Sequence, residues 1–211
     1  MASDQLKRKL AAILAADIAG YSRLMGADEA GTLARLKQYR RELIDPKNKQ
    51  YRGRVVKTTG DGILIEFPSV VDAVSCSIEV QQGMRDRNAD VPPEKRIEFR
   101  VGINLGDVIV EGRDLFGDGV NIAARLEGIA EPGGICISQT VLNHARGKIA
   151  FNVEDLGEQA LKNIVQLVRV YRLLINSSPS GLVMSAVIKP LAISPQYELL
   201  HVMMVLLTQP F

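Results

Sequence analysis

The stretch Val55–Phe67, Val-Val-Lys-Thr-Thr-Gly-Asp-Gly-Ile-Leu-Ile-Glu-Phe, restricts the fold more than any other part of the chain. Apolar and β-branched runs flank Gly60-Asp61-Gly62, the residue types that a tight hairpin turn uses for positive φ, so strand, turn, strand is predicted. Turn chemistry alone accounts for Asp61. Lys57 adds a second consideration. It precedes Asp61 at the same parity, so on an extended chain both side chains leave one face of the hairpin near its tip. A cation and a carboxylate at that edge form either a surface ion pair or half of a polyphosphate site.

The rest of the chain has to decide between them. Its 211 residues, 46% hydrophobic, are enough for one domain of about 150–200 residues with its own core. The net charge of +2 gives no reason to expect a nucleic-acid or anionic-membrane surface, so any phosphate binding is local. Cys76 and Cys136 have no second Cys or His at ligand spacing, which argues against a disulfide framework or a zinc site and fits reduced thiols in a cytoplasm. Lys7-Arg8-Lys9 followed by Leu10–Ala16 imitates a signal peptide, but the run is short and stops at Asp17; a buried first strand ending in a carboxylate explains the same letters. No apolar run reaches the ~20 residues of a membrane span.

Taken in order, Asp28–Ile44 spaces Leu33, Leu36 and Leu43 as an amphipathic helix that Asp28 or a neighbour caps and that Pro46 ends near Asp45. A second helix is predicted over Pro68–Arg87. Arg96–Asn104 alternates as a strand, and Gly106 is expected to turn the chain into a further strand at Asp107–Val110, a second hairpin. A helix over Val120–Ala130 presents Asn121 and Arg125 one turn apart on one face. Short strands at Ile135–Ser138 and Phe151–Leu156 bracket a helix at Gln139–Arg146, and a strand at Leu167–Leu174 closes the domain. The hairpins require antiparallel neighbours, so the expected fold is an α+β sheet, mostly antiparallel, with helices on one face. Beyond residue 174 the composition changes to a Ser/Pro/Gly linker and an apolar tail, residues 175–211.

No P-loop, nucleophile elbow or metalloprotease helix is present, and His144 and His201 lack partners, so a His-based mechanism is not indicated. What remains is a set of acids, lysines, an Asn and an Arg beside turns and helix starts. Ala-Asp-Ile-Ala-Gly-Tyr-Ser at Ala16–Ser22, Lys-Thr-Thr-Gly-Asp-Gly at Lys57–Gly62 and Asp-Leu-Phe-Gly-Asp-Gly-Val-Asn-Ile-Ala-Ala-Arg at Asp114–Arg125 together resemble the class III nucleotidyl cyclase catalytic domain. The resemblance covers about Lys9–Leu174 and implies the ferredoxin-like palm core of that family, with residues 9–174 as the catalytic domain.

Residue by residue, the resemblance implies that Asp17, Asp61 and the Ile18 backbone carbonyl hold two Mg²⁺ or Mn²⁺ ions, which want hard oxygens and substrate phosphates. It implies that Asn121 orients the ribose, that Arg125 stabilises charge developing at the α-phosphate, and that Lys162 grips the terminal phosphates. Lys57 and Asp114 would read the base. A lysine only donates and an ionised aspartate only accepts, a pair that suits adenine N1 and N6 and mismatches guanine, so ATP is the implied substrate. The family also implies a homodimer in which Asp17 and Asp61 of one chain face Lys57, Asp114, Asn121, Arg125 and Lys162 of the other. The alternatives are a guanylate cyclase and a catalytically silent module of the same fold, which would have no need of transition-state groups.

Overall fold

The computed structural model describes residues 7–175. Its central strand, β1 (Lys7–Ile18), pairs antiparallel with β3 (Ile63–Phe67) on one side and β4 (Phe99–Glu111) on the other. Ala12, Leu14 and Ala16 face one apolar cluster, and Ala11, Ile13 and Ala15 face a second on the opposite side of the sheet. A strand covered on both faces needs an apolar residue at every position. That is the physical origin of the run that imitates a signal peptide.

The sheet has eight strands in the order β2-β3-β1-β4-β6-β8-β7, where β2 is Arg54–Thr58, β6 Ile135–Ser138, β7 Asn152–Gln159 and β8 Val168–Leu174; β5 (Asp114–Phe116) pairs with the far end of β4. β6 joins β4 in parallel, and the remaining strand pairs are antiparallel. The α+β class and the mostly antiparallel sheet are therefore as expected, and β2-β3-β1-β4 reproduces the ferredoxin-like order. The predicted strand at Ile135–Ser138 and the hairpin of β2 and β3 are present at or within a residue of the expected bounds.

On the face of Leu14 and Ala16 lie α1 (Tyr21–Ala27), α2 (Glu29–Tyr39), α4 (Val70–Asn88) and α6 (Gln139–Ala145), which bury Leu24, Tyr39, Val74, Met84, Val141 and Leu142. Each such side chain fully removed from water contributes about 1.5–3 kcal/mol. Asp28 caps α2 as predicted, its carboxylate accepting from the Gly31 N–H at 2.9 Å. α5 (Asp118–Ile129) packs on the other face, over β4 and β1, so the helices are not confined to one face as expected; a close seating on Gly102 lets this helix cover the second apolar cluster.

Two expectations are corrected. Pro46 does not end the helix near Asp45: α2 runs into a π-helical turn at Arg40–Ile44 and then α3 (Asp45–Gln50). The Asp45 N–H bonds back to the Arg40 carbonyl, so the change of register falls just ahead of the proline, and Pro46 sits in the first turn of α3, where its missing N–H is least costly. Nor does Gly106 turn the chain. β4 runs unbroken through it, with Gly106 paired to Ala11, and the second hairpin comes later, between β4 and β5, where Gly112 takes φ 59°. A Cβ on Gly106 would stand 3.1 Å from the Gly119 Cα, so this glycine makes room for α5. The linker and tail predicted after Ile175 lie outside the described residues.

Candidate active site

Asp17 sits near the end of β1 on the α5 side of the sheet, directly opposite Arg100 of β4 in the pairing register. Arg100 grips it with both arms: Nε donates to Asp17 Oδ1 at 2.9 Å, and Nη2 donates to Oδ2. The same Nη2 lies 3.5 Å from Glu127 Oε1 on α5. Burial first, and then the Asp17 carboxylate beside it, push the Glu127 carboxyl up to about 7. Asp61 acts through space on both Arg100 and Glu127 in the same sense as Asp17. Two acids thus share one guanidinium, with the Asp17 and Glu127 side chains only 17% and 16% exposed, and Asp61 adds its charge from farther off.

Arg100 and Glu127 were not anticipated from the sequence. The available signal was a lone charge in each of two apolar settings, Arg100 between Phe99 and Val101 and Glu127 after the buried Leu126.

Asp61 lies at the tip between β2 and β3. The turn closes through the Thr59 N–H and the Gly62 carbonyl at 2.9 Å, with neither Gly60 nor Gly62 at positive φ, contrary to the expectation. What Gly62 contributes is space, since a Cβ there would meet Thr59 Oγ1 at 2.7 Å. Lys57 pairs with Leu64, whose side chain belongs to the α5-side cluster, so Lys57 shares that sheet face. A bulge between Val55 and Lys57 interrupts the ladder just before it. Both Lys57 and Asp61 are exposed, and no ion pair links them among the described residues.

α5 is held close to the sheet. A Cβ on Gly102 of β4 would come within 2.2 Å of the Ala123 carbonyl and of the Glu127 N–H, so only glycine permits this backbone-to-backbone approach. The inward side carries Ala123 and Leu126, fully buried, and brings Glu127 to Asp17. The outward side carries Asn121 and Arg125, both exposed. Arg125 Nε donates to the carbonyl of Lys162 at 3.3 Å, which joins α5 to the loop between β7 and β8. Asp114, at the start of β5, accepts from its own neighbour's N–H, Leu115, at 2.8 Å. The structure therefore places Asp17 on Arg100, with Asp61 within electrostatic reach, on one side of α5, and Arg125 with the Lys162 backbone on the other.

Among the described residues no group of three or more His, Cys, Asp and Glu side chains is arranged to cage a metal. A Mg²⁺ or Mn²⁺ that takes one or two carboxylates and completes its shell with substrate phosphates and water needs no cage. Asp17 and Asp61 supply hard oxygens, and the guanidinium held by Asp17 shows that this end of the sheet accommodates positive charge, so the donor set fits such an ion once Arg100 moves aside.

Residues 5–174 match the family described as the Adenylate and Guanylate cyclase catalytic domain. A relative from Rhizobium meliloti (strain 1021) named "Putative adenylate cyclase 3" is 47% identical over 171 residues, covering 81% of this chain and 29% of its own length. This chain thus spans less than a third of that relative. Among solved structures, an Adenylate/Guanylate Cyclase/Hydrolase from Silicibacter pomeroyi superposes with a TM-score of 0.76 at 50% identity, covering 80% of this chain and 98% of that one. The adenylyl cyclase CyaB from P. aeruginosa gives 0.70 at 27% identity, covering 84% and 100%. No helix among the described residues is long and apolar enough to cross a membrane. On a match that runs through the whole described sheet, this chain belongs to the adenylate and guanylate cyclase catalytic domain family.

Proposed function

We propose that the chain is an adenylate cyclase that converts ATP to 3′,5′-cyclic AMP and pyrophosphate as a homodimer with sites shared across the interface. The observation that carries this reading is the division of the site residues between two surfaces. Asp17 and Asp61 gather on the sheet side of α5, whereas Asn121 and Arg125 leave its exposed side beside Lys162. Within one chain these halves face apart; two chains packed about a two-fold axis would bring each half to its complement.

Asp17, Asp61 and the Ile18 backbone carbonyl would hold Mg²⁺ or Mn²⁺, which when bound offsets charge on the attacking and leaving oxygens. Arg100 neutralises Asp17 and would have to give up that pairing for the carboxylate to hold an ion. From the partner chain, Asn121 fixes the ribose so that its 3′-oxygen lies in line with the α-phosphorus. The new bond forms between that oxygen and the α-phosphorus, the bond from the α-phosphorus to the bridging oxygen breaks, pyrophosphate departs, and the hydroxyl proton is released to solvent. Arg125 donates to the α-phosphoryl oxygens as their charge grows, and Lys162 holds the terminal phosphates.

Lys57 and Asp114 support ATP over GTP, since a donor and an acceptor match adenine and would each leave a guanine group unsatisfied, at about 1–3 kcal/mol apiece. The free, buried Cys76 and Cys136 suit a reducing cytoplasm.

The test is product formation by purified protein with ATP or GTP and Mg²⁺ or Mn²⁺, alongside Asp61→Ala. Cyclic AMP from ATP, abolished in the variant, supports the reading; cyclic GMP in preference replaces it with a guanylate cyclase. A folded, dimeric protein that turns over neither is the silent module.

A further inference from the structure

Two amide side chains of α4 fix the entrance to β4. Gln81 and Asn88 lie two turns apart on one face of the helix and are 3% and 7% exposed. Gln81 Nε2 donates to the Phe99 carbonyl at 2.8 Å and to the Gly134 carbonyl at 3.0 Å. Asn88 Nδ2 donates to the Ile97 carbonyl at 2.9 Å. The Glu98 carbonyl between them is taken by the Ala19 N–H at 2.9 Å, on the chain just beyond Asp17 and Ile18. Each backbone carbonyl from Ile97 to Phe99 is therefore held, and the next residue is Arg100.

The loop after α5 enters the same arrangement. The Phe99 carbonyl also accepts from the Gly133 N–H at 3.0 Å, and the Gly134 carbonyl accepts from the Val101 N–H at 3.2 Å. These two bonds flank Arg100 where β4 begins its parallel pairing with β6, and the one Gln81 nitrogen spans both. Gln81 Oε1 and Asn88 Oδ1 are buried without a partner among the described residues. An apolar side chain of similar volume would fill the space and desolvate no oxygen, so what the amides add is direction. Turning either amide over would set its oxygen against a carbonyl, so the donors stay where they are.

We infer that Gln81 and Asn88 are positioning residues: by fixing the path of Ile97–Val101 they set the reach of Arg100 to Asp17, and with it the ease with which that carboxylate passes to a divalent ion. They act from the far face of the sheet, since α4 packs on the Leu14 side and the Asp17 carboxylate lies on the α5 side. The consequence for the ion rests on reading Asp17 as a metal ligand; the positioning of Arg100 does not.

The experiment follows the NMR resonance of the Arg100 Nε–H in the full chain without metal or nucleotide, assigned by its loss in Arg100→Ala. Gln81→Met keeps the length of the side chain and removes both donated bonds. It is expected to move this resonance toward the position of a free guanidinium and to speed its exchange with water at least about threefold. Val74→Ala, a fully buried change on the same helix that removes no hydrogen bond to β4, should lower Tm and leave the resonance in place. A resonance unchanged in Gln81→Met, or moved as far by Val74→Ala, overturns the positioning role. Should Gln81→Met not fold, Asn88→Ala carries the same expectation and the same overturning result.

Mn²⁺ titration then reads the consequence for the ion. Gln81→Met should tighten binding at least about twofold in the otherwise native chain and leave it unchanged in an Arg100→Ala chain, because the amide acts only through Arg100. An equal shift in both backgrounds, or none in the native one, overturns the link to the ion. Should Asp17→Ala bind Mn²⁺ as the parent does, the assignment of Asp17 fails, and the Arg100 resonance still decides the positioning role.

Discussion

Arg100 and Asp17 face each other across paired positions of β4 and β1, with the guanidinium closing both carboxylate oxygens of the residue proposed above to hold a metal. An arginine cannot shed its charge, so a divalent ion must displace it. Arg100→Ala removes that competitor. Mn²⁺ binding in the absence of nucleotide is expected to tighten about tenfold, equivalent to about 1.4 kcal/mol. Calorimetric titration checks this, and weaker binding in the variant would show that Arg100 organises the acids instead of occupying them.

Gly102→Ala forces a methyl into the backbone of α5 at 2.2 Å, where nothing flexible can give way. A loss of at least about 3 kcal/mol in urea unfolding is expected, well beyond an ordinary surface change. Gly128→Ala, with open space around it on the same helix, serves as the control and should be neutral or mildly stabilising.

Glu66 on β3 accepts from Arg54 Nε at 2.9 Å and Nη2 at 2.6 Å, and from Lys9 on the other side. Burial raises its pKa, but the bonds from Lys9 and Arg54 outweigh it and hold the carboxyl below its usual range. Its stabilising effect is therefore present above the unfolded pKa and lost as pH falls through the folded one. Glu66→Gln should cost about 1–2 kcal/mol at pH 7, with both cations partly solvated, and should flatten the acid limb of a stability–pH profile below the ordinary carboxylate pKa. An unchanged acid limb would contradict this.

Chains carrying Asp17→Ala and chains carrying Asn121→Ala should each be inactive alone. Mixed, they should recover roughly a quarter of wild-type turnover, because random pairing gives half heterodimers with one intact site each. Heterodimers demonstrated by mass but lacking activity would exclude shared sites.

Lys57→Glu replaces the proposed base donor with an acceptor. The ratio of ATP to GTP turnover should fall at least about tenfold, as kcat/KM for the two nucleotides would reveal. A ratio that does not move would remove Lys57 from base reading.

The hairpin over residues 55–67 was legible from the apolar runs that flank its turn, although its glycines do not take the positive φ their letters suggested, and β1 because an apolar run of that length suits a strand covered on both faces. β4 was misread at Gly106, since a glycine that makes way for a helix carries the same letter as one that bends the chain. Asn121 and Arg125 were visible as a helical pair. Arg100 and Glu127 were not, because neither has a local partner: Asp17 meets Arg100 through strand register and Glu127 through the close seating of α5, both fixed by distant parts of the chain.

α5 touches the acids with one side and offers Asn121 and Arg125 with the other, while Gly102 clamps its middle to β4. In the proposed dimer it would work as a lever shared by two reaction centres. Nucleotide closing on its outer side at one centre would press its inner side toward the acids of the other. Turnover at the two centres would then be interdependent, giving a Hill coefficient different from one for ATP even though the chains are identical.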